Sequence, residues 1–350
     1  MMMRQTGNSK AVEDWPTLLK DNARSGGQTP QPARSPERAV WQFRAGGSVR
    51  SAPVLKDGDL YVISVAGALH AIDVVTGTAK WKFQAGGQVH STPSLFADQI
   101  LFGSDDGKVY AVNHDGTKRW EVPTGAEVWA SPVIRDGVVF FGSADTKVYA
   151  VEASSGEIRW AHELGGRIYS TICATERQLY LGCGDGKVCC LDSSSGRVLW
   201  STATGNGIDS SPAVVDDLVL IGSEDFFFYA ISATTGEVRW KYETGLGIAS
   251  SPAIWNDLTL FGSKDGFLYA LETQTGKLRW KTRVGEVVTA PPMIGDGVVC
   301  IQAGGTFALD TSNGKILWRA GLAGAIQSVP VLAGETIYLA SLSGEIYALR

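Results

Sequence analysis

Eight tryptophans recur through the chain, at Trp41, Trp81, Trp120, Trp160, Trp200, Trp240, Trp280 and Trp318, and nine positions after each stands a residue of changing chemistry. That series reads Arg50, His90, Trp129, Tyr169, Asp209, Ala249, Thr289 and Gln327. The residue before it is always Val or Ile, and three places after it comes Pro in every copy but one, where Ile172 stands. A position that varies in charge and aromaticity while its neighbours hold still is not fixed by a scaffold. With Gln88, Glu127 and Arg167 beside it, this series is the candidate recognition surface, offering cationic, anionic and aromatic contacts to a peptide or a small ligand. The competing reading is that a solvated opening tolerates any polar residue there, and that Trp129 and Tyr169 simply plug it. His90 and Asp209 do not read as an acid–base pair, because they fall in the second and fifth copies and proton transfer requires hydrogen-bond reach.

Two other clusters invite a chemical reading. Asp106, Asp145, Asp185, Asp225 and Asp265 occupy one turn position in successive copies. Asp in a turn accepts hydrogen bonds from its own backbone, which is the reading taken here; a calcium ion needs six to eight converging oxygens, and one carboxylate per copy is too dispersed. Four of the five cysteines, Cys173, Cys183, Cys189 and Cys190, fall in the fourth copy. They lack a C-x-x-C or a histidine companion, so buried free thiols are expected and no metal ligand is assigned. No G-x-S-x-G, Walker loop or H-E-x-x-H occurs, and no catalytic residue is assigned.

The elements that position these residues follow from the repeat. The tryptophans are 38 to 40 residues apart, a period belonging to propellers, solenoids and arrays. Within one copy, such as VHSTPSLF, QILFGS, KVYAVN and TKRWEV after Gly87, four short runs rich in Val, Ile, Tyr and Phe are separated by Asp and Gly turns. That is a four-stranded antiparallel meander. The eighth copy stops at Tyr347-Ala348-Leu349-Arg350, and its missing strand stands at the other end as Glu37-Arg38-Ala39-Val40-Trp41-Gln42-Phe43. The expected fold is therefore all-β, an eight-bladed β-propeller of four-stranded blades over residues 37–350, closed by pairing the N-terminal strand with the C-terminal blade. Residues 1–36 read as a leader and linker. A strand that runs down, then up, then down places the fourth-to-first links and the second-to-third turns on one rim of the central channel, where the candidate surface lies.

A small residue some thirty positions after each tryptophan, Ala71, Ala111, Ala150, Cys190, Ala230, Ala270, Ala308 or Ala348, and a turn glycine such as Gly77, Gly116 or Gly276, suggest indoles lying flat against backbone. The eight tryptophans are thus framework. The run Tyr269-Ala270-Leu271-Glu272-Thr273-Gln274-Thr275-Gly276-Lys277-Leu278-Arg279-Trp280 resembles the repeat of the pyrroloquinoline-quinone (PQQ)-like propellers, and its Ala, Gly and Trp match that family's tryptophan-docking motif. The resemblance extends over residues 37–350. It implies either a quinoprotein dehydrogenase or a non-catalytic scaffold of the type of the outer-membrane assembly lipoprotein. A dehydrogenase of this kind implies long insertions, a calcium site of Glu, Asn and Asp, and a vicinal disulfide over the quinone. The copies are nearly uniform in length, and Cys189-Cys190 sit inside a strand with side chains on opposite faces. The scaffold reading is favoured, with no cofactor expected; PQQ with calcium is the alternative.

The formal net charge of −5 gives no basic footprint for nucleic acid. The leader has no continuous apolar core of a signal peptide and no run able to span a bilayer, so no membrane insertion is expected. The chain as given reads as cytoplasmic, or as periplasmic if a signal peptide has been removed. A protein or peptide partner and a monomeric state complete the expectation.

Overall fold

The computed structural model describes residues 39–295, 297–320, 331–333 and 336–350. The leader, Glu37, Arg38 and the candidate Gln327 lie outside them. The described residues form 32 strands and no helix, hence no helix long and apolar enough to cross a membrane. The strands make eight four-stranded antiparallel sheets, seven of them built from strands consecutive in sequence. In the eighth, Ala39–Arg44 pairs with Glu345–Leu349, which continues through Thr336–Ala340 to Val331–Ala333. The ring closes as its sequence requires, and this is an eight-bladed β-propeller.

The core lies between blades. Leu101 and Val109 of the second blade pack with Val139 and Phe141 of the third, and the pattern repeats around the ring. Alternation along each third strand feeds two such layers at once. Cys189 packs between the third and fourth blades while its neighbour Cys190 packs between the fourth and fifth. All five cysteines are buried and none forms a disulfide.

The tryptophans join the blades. Each stands opposite its small residue within its own sheet, as Trp81 opposite Ala71 and Trp200 opposite Cys190. Each also reaches the turn between the third and fourth strands of the next blade. There the indole N–H donates to a turn carbonyl: Trp41 to Val74 (2.8 Å), Trp120 to Ala153 (2.9 Å), Trp160 to Ser193 (3.1 Å), Trp240 to Thr273 (3.1 Å). The turn glycine lies under the ring; a methyl group on Gly276 would come within 2.6 Å of Trp240.

Trp318 departs from this. Its next blade is the eighth, whose third and fourth strands are Glu345–Leu349 and Ala39–Arg44, so no turn joins them and the buried indole N–H has no partner among the described residues. Removing an indole hydrogen bond costs about 1 kcal/mol. Trp318→Phe is therefore expected to destabilise by about 1 kcal/mol less than Trp200→Phe, whose N–H donates to Ala233 at 2.9 Å. Urea denaturation of the two variants measures the difference.

At the next seam, between the eighth and first blades, His70 is buried, its Nε2 3.1 Å from the Ala45 carbonyl and its ring edge-on to Phe43. Burial holds its pKa below the ordinary histidine value, against the hydrogen bond to Ala45 and with help from the Lys82 charge. Since the folded value is lowered, the unfolded chain takes the proton more readily. This contribution to stability is complete above the unfolded value, about 6.5, and is lost as pH falls below it. His70→Gln is expected to flatten the loss of stability between about pH 7 and 5, followed by denaturant midpoints across that range.

Candidate functional site at the channel mouth

The links between blades and the second-to-third turns meet on one rim, as strand alternation requires. Asp105 N–H donates to the Gln88 carbonyl (2.8 Å), Ala144 to Glu127 (3.0 Å), Gly184 to Arg167 (2.8 Å), Glu224 to Gly207 (3.0 Å) and Lys264 to Gly247 (3.0 Å). Just inside, hydroxyls tie the links that lead into the innermost strands into a belt. The backbone N–H of Thr92 donates to Ser131 Oγ, that of Ser131 to Thr171 Oγ1, of Thr171 to Ser211 Oγ and of Ser211 to Ser251 Oγ, all within 3.1 Å. The belt lies two residues beyond the variable position, so the variable side chains stand on link backbone fixed by the rim hydrogen bonds on one side and the belt on the other.

On this base three of the candidate residues touch in succession. His90, Trp129 and Tyr169, leading into the second, third and fourth blades, pack as tilted rings with centroids 4.9 and 4.7 Å apart and interplanar angles of 50° and 31°. Trp129 is 40% exposed, and its indole N–H donates to Asp105 Oδ1 at 2.8 Å. Asp105 Oδ2 also lies 3.5 Å from His90 Nε2. Tyr169 donates to Glu127 at 3.4 Å and accepts from Arg167 at 3.2 Å. The row is therefore held at both ends by polar contacts, with an aromatic face left open.

Beside it, Arg167, Tyr169, Asp209 and Glu224 line an open cleft of about 430 Å³, with Gly165, Gly166, Gly184 and Gly207 among its walls. Glu224 pairs with Lys264 at 2.6 Å. Burial within the mouth, and next the charge of Glu224, raise the Asp209 pKa above the ordinary aspartate value, opposed by Lys264. The structure thus gathers His90, Trp129, Tyr169, Glu127, Arg167 and Asp209 into one sector. Arg50 and Thr289 stand exposed at the same position of the links in other blades, and among the described residues no hydrogen bond or ring contact joins either to that sector. His90 has Asp105 beside it; Asp209 belongs to the neighbouring cleft.

The turn aspartates bind their own backbone and more. Asp145 accepts from Lys147 N–H (3.0 Å), from Gly125 N–H of the preceding link (2.7 Å) and from the Tyr149 hydroxyl (2.6 Å). Asp225 and Asp265 do the same with Gly205 and Tyr229, and with Gly245 and Tyr269. Burial first, and then this bond, raise the pKa of Tyr149, Tyr229 and Tyr269. The signal was present as Asp-x-x-x-Tyr. In the fourth blade Cys189 takes the tyrosine place, and Asp185 turns to Lys187 Nζ at 2.6 Å.

Among the described residues no group of three or more His, Cys, Asp or Glu side chains converges as metal ligands must. The adjacent Cys189 and Cys190 point into different inter-blade layers.

Ring, docking tryptophans and rim together define a PQQ-like β-propeller. The chain belongs to the family described as outer membrane protein assembly factor BamB, whose model matches residues 33–173 and 165–350. No curated protein matches it in sequence. Similar solved structures include BamB from Moraxella catarrhalis, with 19% identity, 89% of this chain and 99% of that one covered and a TM-score of 0.77. Quinohemoprotein alcohol dehydrogenase from Comamonas testosteroni is similar at 15% identity, 96% and 80% coverage and a TM-score of 0.83. A computationally designed protein, Ika8, is similar at 15% identity, 89% and 99% coverage and 0.80. At such identities these structures speak for the fold alone.

Proposed function

We propose that this chain is a non-catalytic scaffold whose channel-mouth rim binds a segment of a protein partner. The observation that carries the reading is the row His90–Trp129–Tyr169, an aromatic face open to solvent yet fixed by Asp105, Glu127 and Arg167. Exposed, preorganised aromatics are the usual anchors of a protein interface. A small ligand in the adjoining cleft would share Arg167 and Tyr169 with that row. The family's description supports a partner in outer-membrane assembly and an envelope location, the periplasmic side of the expectation; it gives no support to the cytoplasmic one.

A native mass spectrum of the protein isolated gently from its own cells tests this. A protein-sized adduct that is lost in Trp129→Ala is the expected result. Extra mass equal to PQQ plus calcium would overturn it in favour of an oxidoreductase.

A further inference from the structure

Two rim residues depart from the repeat, and one of them is large and apolar. The last residue of the second-to-third turn takes positive φ in seven blades; it is glycine at Gly67, Gly107, Gly186, Gly266 and Gly344, and Thr146, at φ 75°, in the third blade. In the fifth blade that residue is Phe226, at φ 78°. Bulky side chains rarely accept this conformation, and strain of this kind gathers where function needs it. Phe226 is also 44% exposed, so packing does not reward it.

Its neighbour is equally out of place. Thr244 Oγ1 donates to the carbonyls of both Phe226 (2.9 Å) and Leu246 (2.7 Å), setting the two residues side by side. The same bridge in other blades joins Gly107 with Ala126 and Gly186 with Asn206. Leu246 is 47% exposed. Two large apolar residues therefore stand together on the rim where other bridges hold small or polar ones.

Charge beside this shelf is uneven. Glu224, two residues before Phe226, lines the cleft with Asp209 and is neutralised by Lys264. Asp209 has no hydrogen bond or ion pair among the described residues and faces the open cleft. We propose that Phe226 and Leu246 form a second anchor on the rim, which with the carboxylate of Asp209 seats a partner segment carrying an apolar side chain near a basic one. The apolar side chain covers the shelf and the cation pairs with Asp209. This rests on the rim being a protein-binding surface, and it assigns the partner's chemistry.

The test uses a displayed library of random dodecapeptides selected on the full chain. Selected peptides are expected to carry Arg or Lys close to an aliphatic or aromatic residue. Phe226→Gly is expected to raise the melting temperature by about 1–2 °C by relieving the backbone, while weakening the selected peptide at least tenfold. Asp209→Asn is expected to weaken it similarly and to remove the preference for a basic residue. Peptides that bind Phe226→Gly as tightly as the parent, yet are lost in Trp129→Ala, overturn the second anchor and leave the rim reading intact. Peptides indifferent to both variants overturn both. A concentration-dependent dimer that disappears in Phe226→Gly overturns the proposal in favour of self-association.

Discussion

Gly276→Ala is expected to destabilise the propeller by about 2–5 kcal/mol, while Gly58→Ala costs only about 1–2 kcal/mol. Both glycines adopt positive φ, 70° and 81°, so both variants carry the strain of a side chain in the left-handed region. They differ in what the new methyl group meets. At Gly58 nothing lies within 4 Å; at Gly276 the Cβ would sit 2.6 Å from the Trp240 ring. The indole cannot withdraw cheaply, because its N–H is bonded to Thr273 at 3.1 Å, inside the same turn, and its ring packs between the fifth and sixth blades. Overpacking of this kind adds about 1–3 kcal/mol. Urea denaturation of the pair separates backbone strain from docking. Equal costs at the two sites would mean that the tryptophans do not hold adjacent blades together.

That contrast shows what the sequence could and could not disclose. The period of the tryptophans, their small partners and the split eighth blade were legible, since each is a local pattern repeated many times. That Trp240 docks on Gly276 of the next copy, and not within its own, was not legible, because spacing alone does not say which of two neighbouring sheets an indole meets. The rim was legible through strand alternation, and the structure brings together six of the candidates. Asp105 was missed: it is an ordinary turn residue until Trp129 from the next blade arrives beside it. Phe226 was missed for a different reason. Its apolar character blends with Phe227 and Phe228 that follow in sequence, and only the positive φ separates a strained, exposed residue from buried neighbours.

Trp129→Ala is expected to weaken partner binding by tenfold to a hundredfold, while changing stability by no more than about 1 kcal/mol. The small structural cost follows from exposure. The side chain fills no inter-blade layer, and its removal frees one hydrogen bond to Asp105, which remains beside His90. The large binding cost follows from position. Trp129 touches both His90 and Tyr169, so its loss divides the aromatic row into two separated rings and leaves Asp105 without its donor. Trp129→Phe keeps an aromatic surface and loses the N–H, so an intermediate affinity is expected if stacking dominates, and one near the Ala value if the Asp105 bond fixes the ring. Calorimetric titration with a partner segment, alongside urea midpoints, reads both quantities. Unchanged affinity with Trp129→Ala would make the aromatic row a plug for a solvated channel, the bland reading that the repeat pattern left open.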